Sequence, residues 1–381
     1  MKHHFHHMLA ALAMLGVLAV GCARDSELYQ PSDEEIMANA EEVLGVKISP
    51  ELDWSMTASA LARIIVAGND SKAYTVKIYS NNPQVDGKGY VLKHGQVESG
   101  DTLQMMFEYP AVDEWLVVGV TDSRNRTSYK SVRVSDGQLE VTFGRDADEV
   151  WKPGNLQKDE PAVWTYAFED TPLGDYDLND VVLKVCENAK DTTKLDVRLC
   201  CAGASFDLFV YLGETPVFNG KEVHEALGQN RGLFLNTGKG PEVNVDILPP
   251  ASVDKPQGFT FANADFWIKS PIVPKGIHIA KTGKAPLGVV IPGDWQWPLE
   301  YVCIKEAYPD FLKFAENVQD ENVREWYKVT DTNPVKDKFF IKGQKVLDEQ
   351  EGSRSPDKMI NNYPRSYGDV HRMLRSALRN L

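Results

Sequence analysis

Ala73-Tyr74-Thr75-Val76-Lys77-Ile78-Tyr79 alternates with period two, which puts Tyr74, Val76 and Ile78 on one face of a β-strand. Outward from it the pattern repeats. Glu114–Val120 is a near-continuous apolar strand, Ser128–Val134 alternates again, and Gln138–Phe143 closes the set. Turn signals separate these runs: Asn81-Asn82-Pro83, Asp86-Gly87, Ser99-Gly100-Asp101 and Asp136-Gly137. Short strands at this spacing predict an immunoglobulin-like β-sandwich over residues 51–143. Residues 144–160 are charged, carry one Pro-Gly pair and read as a linker. Beyond them Lys194–Leu199 and Phe206–Leu212 alternate, and the Gly- and Pro-rich stretch 213–300 holds short strands such as Ala264–Ile268 and Leu287–Ile291. A jelly-roll-like sandwich over 161–330 fits this pattern. Phe311, Phe314, Ala315 and Val318 have helical spacing and predict a helix over Asp310–Tyr327. The expected fold is mainly all-β, two sandwich domains with a few short helices.

A chain of 381 residues suits about two domains of ordinary size. Hydrophobic residues at 43% and charged residues at 25% exclude a disordered, collagen-like or multi-span membrane protein. A formal charge of −14 excludes general nucleic-acid binding through a basic surface.

The N-terminus reads as an address over residues 1–21. Lys2 and four histidines precede an apolar run from Met8 to Val20. That run is shorter than the roughly 20 residues a membrane span needs, but it suits a signal-peptide core. It ends in Leu18-Ala19-Val20-Gly21-Cys22, which looks like a lipobox with Cys22 as the lipidated residue. Ala19 stands where leucine is usual. Acyl chains would then tether the mature chain to a membrane, at about 0.8 kcal/mol per buried CH₂. The acidic start Ala23-Arg24-Asp25-Ser26-Glu27 resembles signals that place lipoproteins on the outer face of the outer membrane. Residues 22–50 read as a tether with a short helix: Ser32 as N-cap, Glu35 three residues on, and Ile36, Ala40, Val43 and Leu44 on one face. The tail, 331–381, is basic, with ten Lys+Arg against seven Asp+Glu. It ends in an amphipathic pattern at Val370, Met373, Leu374, Ala377, Leu378 and Leu381. Residues 181–186 and 195–200 read as hairpin arms that place Cys186 and Cys200 about 17 Å apart along the strand. A disulfide needs Cα atoms about 6 Å apart, so buried free thiols are expected.

The densest acidic segment is Glu169 to Asp180, where Glu169, Asp170, Asp175, Asp177, Asn179 and Asp180 fall within twelve residues. Hard cations such as Ca²⁺ take six to eight oxygens, and Asp175-x-Asp177-x-Asn179 has the opening spacing of an EF-hand loop. It is not an EF-hand, because Asp180 and Cys186 stand where glycine and glutamate belong. The alternative is a solvated turn whose carboxylates cap backbone N–H groups. Asp175, Asp177, Asn179 and Asp180 are the first candidates for Ca²⁺ ligands, with Glu169 and Asp170 behind them.

The same segment, FEDTPLGDYDLNDVVLKV (Phe168–Val185), resembles the signature of LruC-domain proteins, exported lipoproteins of Gram-negative bacteria. GKEVHEALG (Gly220–Gly228), DWQWPLEYVCIKEAYPDF (Asp294–Phe311) and NAEEVLGVKISPELDWSMTASA (Asn39–Ala60) resemble further blocks of that family. Together they span about residues 39–328. The resemblance implies an exported β-rich protein with a calcium-type loop and no established activity, and it supplies no catalytic residue.

Three other patterns bear on function. Trp295 and Trp297 could form an aromatic platform for a glycan ligand, but core packing is the better reading of both. Glu300 and Glu306 could be a glycosidase pair, but on one strand they would sit about 20 Å apart. Hydrolysis needs about 5–9.5 Å. Glu222 and His224 would share one side of a strand, as a structural pair. The sequence therefore points to a non-enzymatic envelope lipoprotein, held at the membrane by its lipid, with a Ca²⁺-stabilised loop and a glycan or surface-protein partner. A carbohydrate-binding protein, a glycoside hydrolase-like enzyme and a structural subunit of a surface assembly are the alternatives.

Overall fold

The computed structural model describes residues 30–67, 72–84, 89–144, 161–204, 206–228, 235–236, 249–298, 302–317 and 323–328. Cys22, Glu300, the linker 145–160 and the tail from 329 lie outside the described residues.

The fold is mainly all-β, as the alternation predicts. The first body is a sandwich of two sheets. In one sheet, β1 (Thr57–Val66) lies between β4 (Thr102–Pro110), antiparallel, and β7 (Gln138–Phe143), parallel. The facing sheet has the order β3-β2-β5-β6, from β2 (Ala73–Tyr79), β3 (Val91–Glu98), β5 (Trp115–Thr121) and β6 (Thr127–Arg133). The alternation that predicted the strands also sets the core: Ala60, Ala62 and Ile64 from β1 meet Tyr74, Val76 and Ile78 from β2 and Leu116, Val118 and Val120 from β5.

The second body has a larger sheet of order β13-β10-β9-β8-β17, with β14 also paired to β10. Its strands are β8 (Trp164–Phe168), β9 (Val181–Glu187), β10 (Lys194–Ala202), β13 (Leu235–Asn236), β14 (Ala251–Asp254) and β17 (Gly288–Pro292). The facing sheet is β12-β11-β15-β16, from β11 (Phe209–Leu212), β12 (Thr215–Pro216), β15 (Phe266–Ser270) and β16 (Val273–His278). Tyr166, Phe168, Val181, Leu183 and Val197 fill the space between them with Val210, Phe266 and Ile268. The β9–β10 hairpin pairs Cys186 with Asp196, and Cys186, Cys200, Cys201 and Cys303 are free thiols.

The second body is not a plain two-sheet sandwich. Every residue of β8 is buried, which requires both faces of that strand to be covered. The outer face carries a third layer. It comes from α1 (Asp33–Leu44), the segment Ile48–Met56, α3 (Ile304–Ala307), α4 (Asp310–Ala315) and Trp326, packed on Ala167, Val182, Val289 and Ile291. Residues 33–56 are therefore not a free tether. The cap of α1 is as predicted, with Ser32 Oγ accepting from Glu35 N and Glu35 returning to Ser32 N. Its apolar face (Ala40, Val43, Leu44) then buries against a body formed more than a hundred residues later. Trp54 is buried there between Phe311 and Phe314, and its indole N–H donates to Lys284 O (2.7 Å). The predicted Asp310–Tyr327 helix stops at Ala315, with Asn317 in the left-handed region (φ 53°).

Glu108 of β4 locks the two bodies together. Its carboxylate accepts from Phe261 N (2.5 Å) and Ala262 N (3.0 Å) of the second body.

Candidate metal centre

The acidic segment is the connection from β8 to β9, and it is packed inside the protein. Glu169, Asp170, Asp175, Asp177, Asn179 and Asp180 are all buried. The reason lies in the residues between them. Tyr176 (φ 57°) and Leu178 (φ 56°) are left-handed, which costs bulky residues of order 1–3 kcal/mol each. Both side chains are fully buried in the third-layer core, and that burial offsets the backbone cost. The carboxylates of Asp175 and Asp177 are drawn together instead: one oxygen each from Glu169, Asp175 and Asp177 lie within 4.8 Å of one another.

Glu169, the first residue past β8, organises the loop. Its Oε1 accepts from Leu178 N (2.6 Å) and its Oε2 from Tyr176 N (3.2 Å). Gly174 passes so close that a Cβ there would lie 2.3 Å from Glu169 Oε2. Asp180 Oδ2 accepts from Asp170 N (2.6 Å), and Asp177 Oδ1 accepts from Asn179 N (3.2 Å). Asn179 Nδ2 donates to Pro298 O (3.4 Å), so its carbonyl oxygen is the end left over. That oxygen and Asp175 Oδ2 are buried without a hydrogen-bond partner.

The charge state follows from the burial. Glu169 is pushed well above the usual carboxylate range by burial and by the Asp175 charge. Burial and Asp175 bring Asp170 to about 7, and burial brings Asp175 to about 6. Among the described residues no Lys or Arg forms an ion pair with Glu169, Asp170 or Asp175. Such a cluster must take up protons or a cation. Oxygens on opposite sides of a Ca²⁺ bound at 2.3–2.6 Å are at most about 5 Å apart, which matches the spacing here.

The sequence singled out Asp175, Asp177, Asn179 and Asp180 first. The structure gathers Asp175 and Asp177 with Glu169, places Asn179 against Asp177, and has Asp180 accepting from the Asp170 backbone. Glu169 could be ranked higher only by seeing the chain reverse at Gly174.

Trp295 and Trp297 are 3% and 0% exposed, so they are not a surface platform for a ligand. Trp295 packs on Tyr308 and Trp326, and Trp297 lies under Lys184 Nζ (5.4 Å). Glu222 and His224 are at the start of the short helix α2 (Val223–Ala226), not on a strand. Glu222 caps the N–H groups of His224 and Glu225 and meets His224 Nδ1 at 2.5 Å. Glu306 sits in α3.

A family model described as a domain of unknown function, DUF4842, matches residues 233–327. The match begins after the acidic loop and takes in β13 to the last described turn. Among solved structures the chain is similar to a "Putative lipoprotein from Bacteroides ovatus", at 16% identity and a TM-score of 0.36, over 70% of this chain and 98% of that one. A likeness of that size carries no weight for the fold or the anchor. No curated protein matches the chain. Among the described residues no helix is long and apolar enough to cross a membrane.

Proposed function

We propose that this is a lipid-anchored, non-enzymatic envelope protein whose β8–β9 loop binds Ca²⁺ through Glu169, Asp175, Asp177 and Asn179. One observation carries the metal reading: Asn179 Oδ1 and Asp175 Oδ2 are buried, without hydrogen-bond donors, in a loop where three carboxylates already converge. Buried oxygens ordinarily have a donor, and a hard cation supplies the missing partner.

The ion would brace the meeting point of the layers. Tyr176 O accepts from Ile304 N (2.7 Å) of α3, Asp180 O from Gly203 N (3.0 Å) after β10, and Pro172 O from Asn39 Nδ2 (3.5 Å) of α1. An ion that binds only the folded chain adds RT ln(1 + [L]/Kd), about 2.7 kcal/mol at a hundredfold excess over Kd. The test is a thermal melt of the full-length protein in detergent with Ca²⁺, Mg²⁺ or chelator, beside the Asp175→Ala/Asp177→Ala variant. A Ca²⁺-specific rise in midpoint that the variant loses is expected. Equal midpoints in all conditions would return the loop to a proton-sharing turn.

The anchor rests on the lipobox at Cys22, and placement in the outer membrane, facing outward, on the acidic residues after it. Cys22→Ala should release the protein from the membrane fraction. Protease added to intact cells should cleave the wild-type chain.

A further inference from the structure

We propose that Ca²⁺ in the β8–β9 loop controls the docking of helix α1 on the second body; this rests on the Ca²⁺ reading of the loop and adds what the ion regulates. Apolar burial holds α1 only lightly. Of its twelve residues, Ala40, Val43 and Leu44 are the buried ones. An isolated helix of that length is marginal in water, so α1 keeps its backbone hydrogen bonds only while it is docked. Near its N-terminus, Asp33 Oδ2 meets Lys284 Nζ (2.7 Å), but both side chains are more than half exposed and such a pair adds little.

The ties further along α1 lead to the loop. Asn39 Nδ2 donates to Pro172 O (3.5 Å), inside the loop. Lys305 Nζ donates to Val43 O and so caps the last turn of α1, which has no basic residue of its own. Lys305 follows Ile304, whose N–H donates to Tyr176 O (2.7 Å). Tyr176 and Leu178 belong to the same apolar cluster as Ala40, Val43 and Leu44. The loop therefore alternates. Asp175 and Asp177 converge with Glu169, while Tyr176 and Leu178 beside them pack in the layer that holds α1. Repulsion among the carboxylates loosens the metal-free loop, and its apolar side chains and its carbonyls at Pro172 and Tyr176 loosen with it. A cation that draws the oxygens together fixes both sides at once.

The consequence is a change in reach. With the lipid at Cys22, a docked α1 leaves residues 23–32 between anchor and body, about 35 Å at full extension. With α1 released the connection is residues 23–47, about 90 Å. Ion binding would hold the body near the membrane, and ion loss would let it extend.

The experiment is amide hydrogen exchange of the full-length protein in detergent, with Ca²⁺ and with chelator, beside a Ca²⁺-indicator titration of the same sample. At about a hundredfold excess of Ca²⁺ over Kd, exchange across Asp33–Leu44 should slow by at least tenfold, up to the roughly hundredfold that mass action allows. β2 and β5 should be unchanged, and Asp175→Ala/Asp177→Ala should abolish the slowing. Coupling is reciprocal, so Val43→Ser/Leu44→Ser, which undocks α1 and leaves every loop residue in place, should weaken Ca²⁺ binding by about tenfold. Ca²⁺ binding that leaves α1 exchange unchanged, or slows α1, β2 and β5 alike, would overturn the proposal and leave the loop site standing. Unaltered affinity in the α1 variant would do the same. Absence of Ca²⁺ binding in the titration would overturn both.

Discussion

The first sandwich and the third layer of the second body solve the same problem, covering a sheet, in opposite ways. The sandwich core comes from one continuous stretch of chain, Ala60 to Phe143, and is apolar throughout. The third layer draws on both ends of the described chain, from Ala40 to Tyr327. Among the described residues the buried Asp, Glu, Lys and His side chains, Glu169, Asp170, Asp175, Asp177, Asp180, Lys184, Glu222 and His224, all belong to the second body. A locally built core needs only the strand period. A core assembled from distant segments can enclose charge, because the chain arrives from several directions and supplies backbone donors around it. The proposed Ca²⁺ loop accordingly lies in the second body.

The contrast breaks most sharply at Trp54. Trp54→Ala should cost about 3–5 kcal/mol, the range for a buried aromatic. The loss should appear in the second body, although the residue lies next to the first strand of the sandwich. Amide hydrogen exchange should quicken across β8 and β9 and leave β2 and β5 protected. Faster exchange in β2 and β5 instead would mean that the two cores unfold as one.

The acidic loop gives the next largest effect. With Ca²⁺ at a hundredfold excess over Kd, Asp175→Ala/Asp177→Ala should lose about 2.7 kcal/mol of metal-dependent stability, read from urea midpoints with and without chelator. Gly174→Ala pushes a methyl into Glu169 Oε2 and should weaken Ca²⁺ binding about tenfold, close to 1.4 kcal/mol. Titration with a Ca²⁺ indicator measures this, and an unchanged affinity would remove Glu169 from the ligand set.

The smallest expected effect is on pH. Glu169, Asp170 and Asp175 have folded pKa values raised above the unfolded ones, so the folded metal-free chain holds extra protons between about pH 4 and the raised values. Its stability should fall as pH rises through that window. Ca²⁺ competes with those protons, so the Ca²⁺-induced rise in midpoint should be larger at pH 7.5 than at pH 5.5. A shift independent of pH would argue against the carboxylates as ligands.

Much of this was legible in the residues. The alternation at Ala73–Tyr79 and Lys194–Leu199, the Ser32/Glu35 capping box and the oxygen-rich run from Glu169 to Asp180 are local patterns, and local backbone geometry follows from them. The tryptophans show where local pattern stops deciding: Trp295-Gln296-Trp297 reads the same whether its rings face solvent or a neighbouring layer, and the structure gives the core packing that was the better reading. The helix of residues 33–44 was visible, but not its place in the core.

By itself the sequence determined where strands and the first helix form and which residues share a face, because the period of side chains along a strand or helix is fixed by the backbone. Only the tertiary structure decided what covers each face. Contacts such as Trp54 with Phe311, or Glu169 with the Tyr176 and Leu178 amides, join segments that no periodicity relates. They turned a tether into core and an acidic run into a buried cage of oxygens.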